Sequence, residues 1–396
     1  MSNFKEFMNN NALKFIVLMG VVSLFADMTY EGARSITGPY LAILGASAVT
    51  VGFVAGFGEL AGYVLRFFSG RFIDSTGRYW AVTIGGYLIN LLAVPLLALA
   101  GSWEMAAVLI IIERLGKGIR VPPRDVMLSH ACSQVGQGWG FGLQEALDQT
   151  GAILGPLIVA VILFYHGNYQ AGFAFLLLPA VLAILVLLVS RFLYPHPHEL
   201  EVEVPYLDAK GFRRVYWLYI MAAALIAAGF ADFAIIAYHF QKAALVSATL
   251  IPIFYAVAMG VDGVAALIFG RLFDKMGLSI MIVVALISSL FAPLVFLGGF
   301  YLAFIGMVLW GISMGAQESI MRSAVAVMST IKRRGSAYGI FHTIYGVSWF
   351  AGSLIMGWLY DFSIAYLVVF SVVIQLISIP VFISMLRIRN QKGENI

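Results

Sequence analysis

Asp27, Tyr30, Glu31 and Arg34 follow one another at i, i+3, i+4 and i+7 within one apolar run, so two carboxylates, a phenol and a guanidinium share a helical face. Similar groups recur in other apolar runs: Glu59 with Arg66; Glu113, Arg114 and Lys117; Glu145 and Asp148 on one face; Asp232; Asp262; Glu318 with Arg322; and His342. At the centre of a bilayer an ionisable group costs at least ~2.5–3.5 kcal/mol, so such residues mark a wet or protein-lined interior. Carboxylates and imidazoles there can bind and release protons, because burial raises a carboxylate pKa and a nearby cation lowers it. They can also be permanently ionised partners in salt bridges. Glu31 with Arg34, and Glu318 with Arg322, have the helical spacing of such structural pairs. Asp27, Glu145 and Asp148 have no obvious cation on their own helix, so proton coupling and substrate contact both stand open for them. Glu113 adjoins Arg114, but adjacent helical residues diverge, so the two need not pair.

The elements that must carry these residues are long and apolar. Of the 396 residues 61% are hydrophobic and 11% charged, against about 25% charged in soluble domains. A membrane-crossing helix needs about 20 apolar residues. Twelve such runs lie near 12–37, 48–70, 79–100, 103–124, 138–164, 169–193, 213–239, 247–270, 279–299, 301–325, 336–359 and 363–387. Barrel architectures fail, because the runs are continuously apolar and do not alternate. From helix rise, Glu59, Glu113 and Asp148 fall near mid-membrane, with Asp27 slightly beyond it. Runs 3, 6, 9 and 12 hold no charged residue within their apolar spans, Arg191 and Arg387 standing only at run ends, which predicts lipid-facing scaffold there and a central cavity enclosed by the other eight. The expected fold is all-α: twelve transmembrane helices in two parallel six-helix repeats around that cavity.

The longest connection, rich in Pro195, Pro197, Pro205 and charge, divides the chain into an N-terminal bundle (1–193), a linker (194–212) and a C-terminal bundle (213–396). Lysine and arginine crowd one set of loops, and the opposite set holds only Lys242. By the positive-inside rule both termini and the linker are cytoplasmic, in the inner membrane. No cleavable signal sequence is expected. The net charge of +4 reflects these run ends, so a nucleic-acid partner is not expected. The single cysteine, Cys132, precludes an intramolecular disulfide or a paired-cysteine metal site. No metal, no cofactor and a monomer are expected. No HExxH signature occurs, and His196-Pro197-His198 reads as a solvated turn, so the chain does not read as an enzyme.

The halves repeat. Gly70-Arg71-Phe72-Ile73-Asp74-Ser75-Thr76-Gly77 recurs as Gly270-Arg271-Leu272-Phe273-Asp274-Lys275-Met276-Gly277. Phe25-Ala26-Asp27 recurs as Phe230-Ala231-Asp232, and Gly142 and Gly155 match Gly339 and Gly352, with His342 in the place of Glu145. Ordered matches at equivalent runs indicate duplication with six helices per repeat.

On these residues the chain resembles, over nearly its whole length, the major facilitator superfamily. Gly70, Asp74, Gly77 and Arg78 are similar to that family's G-x-x-x-D-x-x-G-R loop signature; the second copy keeps Gly270, Asp274 and Gly277 but has Leu278 for the arginine. Arg114 with Gly118 is similar to the family's fourth-helix motif, and its arginine implies a part in proton relay. Gly151, Gly155 and Pro156 resemble the G-x-x-x-G-P motif of proton-coupled antiporters; bare helix packing is the competing reading. The resemblance implies that Asp74 gates the cytoplasmic side against the positive end of a neighbouring helix. Gly70 and Gly77 are expected to allow a tight turn.

The reading that follows is a secondary transporter exchanging protons for a small organic molecule across the bilayer, with efflux the direction implied by the resemblance to antiporters. Uptake of an anionic metabolite, held by Arg34, Arg114 and Lys117, and export of a metal cation are the alternatives. Most buried charge lies in the first half, so coupling is expected there. The second half, with Tyr238, His239, Tyr345 and Trp349, is expected to give apolar and aromatic contact.

Overall fold

A computed structural model describes residues 11–135, 137–200, 214–328 and 334–391. The side chains of Asp74, Asp274 and Arg322 lie outside the described residues, as does most of the expected linker, so the gating aspartates and the Glu318–Arg322 pair are not described further. Among the described residues there is no strand, and the helices form twelve spans. They are α1 (Asn11–Ile43), α2 (Ala48–Thr76), α3 (Tyr79–Leu96), α4 (Trp103–Val135), α5 (Gln137–His166), and α6 in two segments, Tyr169–Phe175 and Leu177–Leu193. Next come α7, also in two segments (Arg214–Gly229 and Phe233–Lys242), α8 (Leu250–Met276), α9 (Ile280–Leu297), α10 (Phe300–Met328), α11 (Arg334–Phe362) and α12 (Ile364–Gln391). Eleven spans are long and apolar enough to cross a membrane. The twelfth, α4, is denied that status by its charges, Glu113, Arg114, Lys117 and Arg120 among them.

Two compact units emerge. The first is Met1–Ile36 with Ala61–Pro205, and the second is Thr37–Leu60 with Tyr206–Ile396. The end of α1 and the first half of α2 group with the later helices. The first unit has a core of Phe15, Met19, Tyr87, Leu91, Leu128 and Leu187. The second is centred on Tyr216, Tyr219, Met281, Ile320, Phe341 and Met385. Side chains such as Phe164, Phe192, Leu267 and Tyr301 point outward, as lipid-facing positions do when lipid is as apolar as the side chain.

Three departures from the sequence reading have physical causes. First, α4 does not stop near 124 but continues to Val135 through Pro122 and Pro123, so Arg120 and Arg124 stand well inside the helix, not at its end. Second, α7 is interrupted at Phe230–Asp232. Non-helical backbone at membrane depth survives only where protein satisfies it. Here Ser371 Oγ and Gln375 Nε2 donate to the Gly229 carbonyl at 2.6 and 3.0 Å, and Trp310 Nε1 donates to the Ala231 carbonyl at 2.9 Å. The Asp232 carboxylate accepts from the Ala234 amide at 2.9 Å and caps the second segment. Third, the helices without charge are not plain scaffold. α3 buries Thr83, Tyr87 and Asn90, and α12 buries Ser371 and Gln375. Neutral amides and hydroxyls cost far less to bury than charges when hydrogen-bonded, so a charge search passes over them.

The tight turn belongs to Gly77 alone, with φ of 64°, mirrored by Gly277 at 60°. Gly70 lies inside α2 near Pro122, and Gly270 lies inside α8 against Ser319. Both are packing positions, because their backbone is already helical.

Candidate functional site

The first unit's polar cluster is organised by one face of α4. Glu113, Lys117, Arg120 and Arg124 recur at i, i+4, i+7 and i+11. Two glycines bring α3 against that helix. A Cβ on Gly116 would come within 2.7 Å of the Asn90 Cα, and one on Gly86 within 2.7 Å of the Arg120 nitrogen. At that separation Asn90 bridges two charges of α4. Its Nδ2 donates to Glu113 Oε1 at 2.7 Å and to the Glu113 carbonyl at 3.0 Å, while its Oδ1 accepts from Arg120 Nε at 3.1 Å. Arg114 Nε lies 3.3 Å from Glu113 Oε2, so these neighbours do pair despite diverging along the helix.

Arg120 is 1% exposed. Its guanidinium carbon stands 4.3 Å from the Tyr87 ring centroid and 5.6 Å from that of Tyr30, and Lys117 Nζ stands 3.9 Å from Tyr30. A cation over a desolvated aromatic face contributes up to about 2 kcal/mol. One turn back from Tyr30, Asp27 is 4% exposed. It sits within electrostatic reach of Asp148, Lys117, Arg120 and Glu31. Its Oδ1 has no hydrogen-bond partner among the described residues, and neither do Arg120 Nη1 and Tyr87 Oη.

A second chain of contacts joins α4 to α5 through α1. Arg124 pairs with Asp125 at 2.9 Å and donates from Nη1 to Ser23 Oγ at 3.3 Å. Gln144 Nε2 donates to Ser23 at 3.1 Å and to Asp148 Oδ1 at 3.4 Å. The α1–α5 contact is backbone to backbone: a Cβ on Gly151 would strike the Leu24 carbonyl, and one on Gly155 the Met28 carbonyl. Pro156 follows inside α5.

Asp27, Tyr30, Glu113, Arg114 and Asp148 therefore share one neighbourhood with the residues just described. Glu31 pairs with Arg34 at 3.7 Å. Glu145 accepts from Gln149 Nε2 at 3.4 Å on its own helix. Glu59 lies in the segment grouped with the second unit, half-buried. Asp232 caps a helix, and His342 is half-buried with its ring 5.2 Å from that of Phe341. Arg78 is exposed at the start of α3 without a side-chain cap. Sequence reasoning missed Ser23, Tyr87, Asn90, Arg120, Arg124 and Gln144. Both arginines lie at i+7 and i+11 from Glu113 inside the fourth run as drawn to 124, and that spacing was the signal for them. Among the described residues no group of three His, Cys, Asp or Glu side chains is disposed to hold a metal ion.

The second unit offers a contrasting surface. Phe230 lies 5.5 Å from Trp310 and 5.5 Å from Trp349, and Tyr345 lies 5.9 Å from Trp349. Tyr345 donates to Gln317 Oε1 at 3.2 Å. Trp349 Nε1 is buried with no partner among the described residues.

A family model described as Major Facilitator Superfamily matches residues 18–297 and 216–395. An uncharacterized protein of Mycobacterium tuberculosis is 40% identical over 376 residues, covering 93% of this chain and 92% of the relative. An uncharacterized MFS-type transporter of Methanocaldococcus jannaschii is 27% identical over 362 residues, covering 88% of this chain and 89% of its own. Among solved structures, a point mutant of the nucleoside transporter NupG superposes with a TM-score of 0.77 at 13% identity, over 94% of this chain and 99% of its own. At that identity the likeness speaks for the fold alone.

Proposed function

The chain belongs to the Major Facilitator Superfamily, a multi-pass family of secondary transporters, and from that premise we propose that it exports a small organic molecule in exchange for protons, by alternating access across the cytoplasmic membrane. The observation that carries this reading is the Asp27 carboxylate, buried with an unpartnered oxygen between a second carboxylate, Asp148, and two cations, Lys117 and Arg120. When Asp27 is ionised, the two cations balance it; when it is protonated, that balance is lost and the cluster must rearrange. A group whose neighbours reward one protonation state in one conformation is what coupling requires. Asp148, which accepts from Gln144 at a long 3.4 Å, is the second proton-bearing candidate. The aromatic groups of the second unit suit an apolar or planar cargo.

Anion uptake is less well supported. Of its three proposed cationic ligands, Arg34 and Arg114 are within ion-pair distance of Glu31 and Glu113, and Lys117 stacks on Tyr30. Metal export finds no ligand set among the described residues.

The deciding experiment is reconstitution in proteoliposomes with an imposed pH gradient, after a thermal-shift screen for cargo. Asp27→Asn and Asp148→Asn should each lose gradient-driven accumulation while cargo-induced thermal shifts persist. Gradient-driven transport at the parent rate in both variants would sink the proton-coupled reading, and a requirement for a pH gradient of the opposite sense would replace export by uptake.

A further inference from the structure

The pattern G-x-x-x-D, which closes α2 as Gly70–Asp74 and α8 as Gly270–Asp274, occurs a third time as Gly357–Asp361 at the end of α11. In all three places the aspartate stands in the last turn of its own helix. That is electrostatically the wrong end, because the helix C-terminus is itself negative. An acid placed there is better explained by the positive end of another helix. For Asp361 the structure identifies that helix. Oδ1 accepts from the Ala48 amide at 3.2 Å and Oδ2 from the Val49 amide at 3.1 Å. These are two of the amides that open α2 and have no partner within it.

The packing beneath this cap is unusually close. A Cβ on Gly357 would lie 2.6 Å from the Ala48 carbonyl oxygen and 2.9 Å from the Val49 Cα. One on Gly56 would lie 3.0 Å from the Phe350 Cα, and one on Gly52 would strike the Ser353 carbonyl. At the end of α1, Gly38 meets the Ala234 carbonyl in the same way, and Tyr238 donates to the Ala46 carbonyl at 3.3 Å. These residues all belong to the second unit, which is why the α1–α2 turn groups there.

We propose that Asp361 is a latch that fastens the α1–α2 turn onto α11 and α7, with the glycine contacts as its bearing surface, and that its release opens this side of the transporter. With the termini cytoplasmic, as the charge asymmetry proposes, the latched side faces outward. Asp361 is exposed, so its hold is modest and screened by salt. A modest hold suits a contact that must break in each cycle.

The test uses site-directed labelling and needs neither cargo nor a pH gradient, so it is independent of the proton reading. In a Cys132→Ser background, Ile235→Cys places a thiol at a fully buried position beside Gly52. A membrane-impermeant maleimide is applied to intact cells. Asp361→Asn, which keeps the side-chain shape, and Gly52→Ala, which wedges the bearing surface, should each raise the labelling rate. For Asp361→Asn the rise should be about twofold to fivefold, the size expected for one charge at an exposed helix N-terminus. A control thiol, Val22→Cys in the first unit, should stay unlabelled in both. Unchanged labelling at position 235 in both variants would overturn the latch. So would an equal rise at position 22, which would mean general loosening.

Discussion

Asn90 is the residue on which two buried charges depend. It satisfies Glu113 Oε1 and Arg120 Nε at once, with no charge of its own. Removing it leaves both partners buried, and an orphaned buried donor or acceptor costs roughly 1–3 kcal/mol, more when charged. Asn90→Leu should therefore lower the melting temperature of the detergent-purified protein clearly. Thr83 makes the comparison. It is buried on the same helix, and its hydroxyl has no partner among the described residues. Thr83→Val should leave the melting temperature unchanged or slightly raised. Equal losses in both variants would mean that α3 matters only through its packing volume. The same contrast explains which part of the site was legible in the sequence. Charges announce themselves by their cost in lipid, so Asp27, Glu113 and Asp148 stood out. Asn90, Ser23 and Gln144 are neutral, and nothing in one sequence separates them from ordinary helix-contact residues until their partners are placed.

At the scale of elements, α7 is the least expected feature. Its run is apolar apart from its ends and Asp232, and neither Asp232 nor Gly229 alone requires a break. The interruption depends on Ser371, Gln375 and Trp310, which lie far away in sequence and take over the freed carbonyls. Periodicity within the run carries no trace of them. Helix existence was legible for eleven spans because length and hydropathy decide it, and for the charged α4 from its apolar opening stretch. The break and the extension of α4 to Val135 were not, because both rest on tertiary partners. Asp232 can be tested at this scale. As an N-cap it should tolerate Asp232→Asn, since asparagine caps as well as aspartate, whereas Asp232→Ala should cost about 0.5–2 kcal/mol in thermal or denaturant unfolding. If the two variants are equally stable but both fail in transport, the carboxylate has a role in the cycle that its capping contact does not account for.

For the whole molecule, the repeat and the charge asymmetry act together. An even number of spans returns the chain to its starting side, and duplication of six helices preserves orientation from one repeat to the next. Lysine and arginine on one set of turns then predict which side that is, because translocating basic loops is disfavoured. Alternation is therefore predicted at specific turns. In the Cys132→Ser background, Ser102→Cys, exposed in the turn between α3 and α4, should react with an impermeant thiol reagent in intact cells. Ser75→Cys, exposed at the end of α2, should react only after the membrane is permeabilised. The reverse pattern would invert the topology. It would put the Asp361 contact on the cytoplasmic side and the Gly77 turn outside, so a single pair of labelling measurements decides which face each device controls.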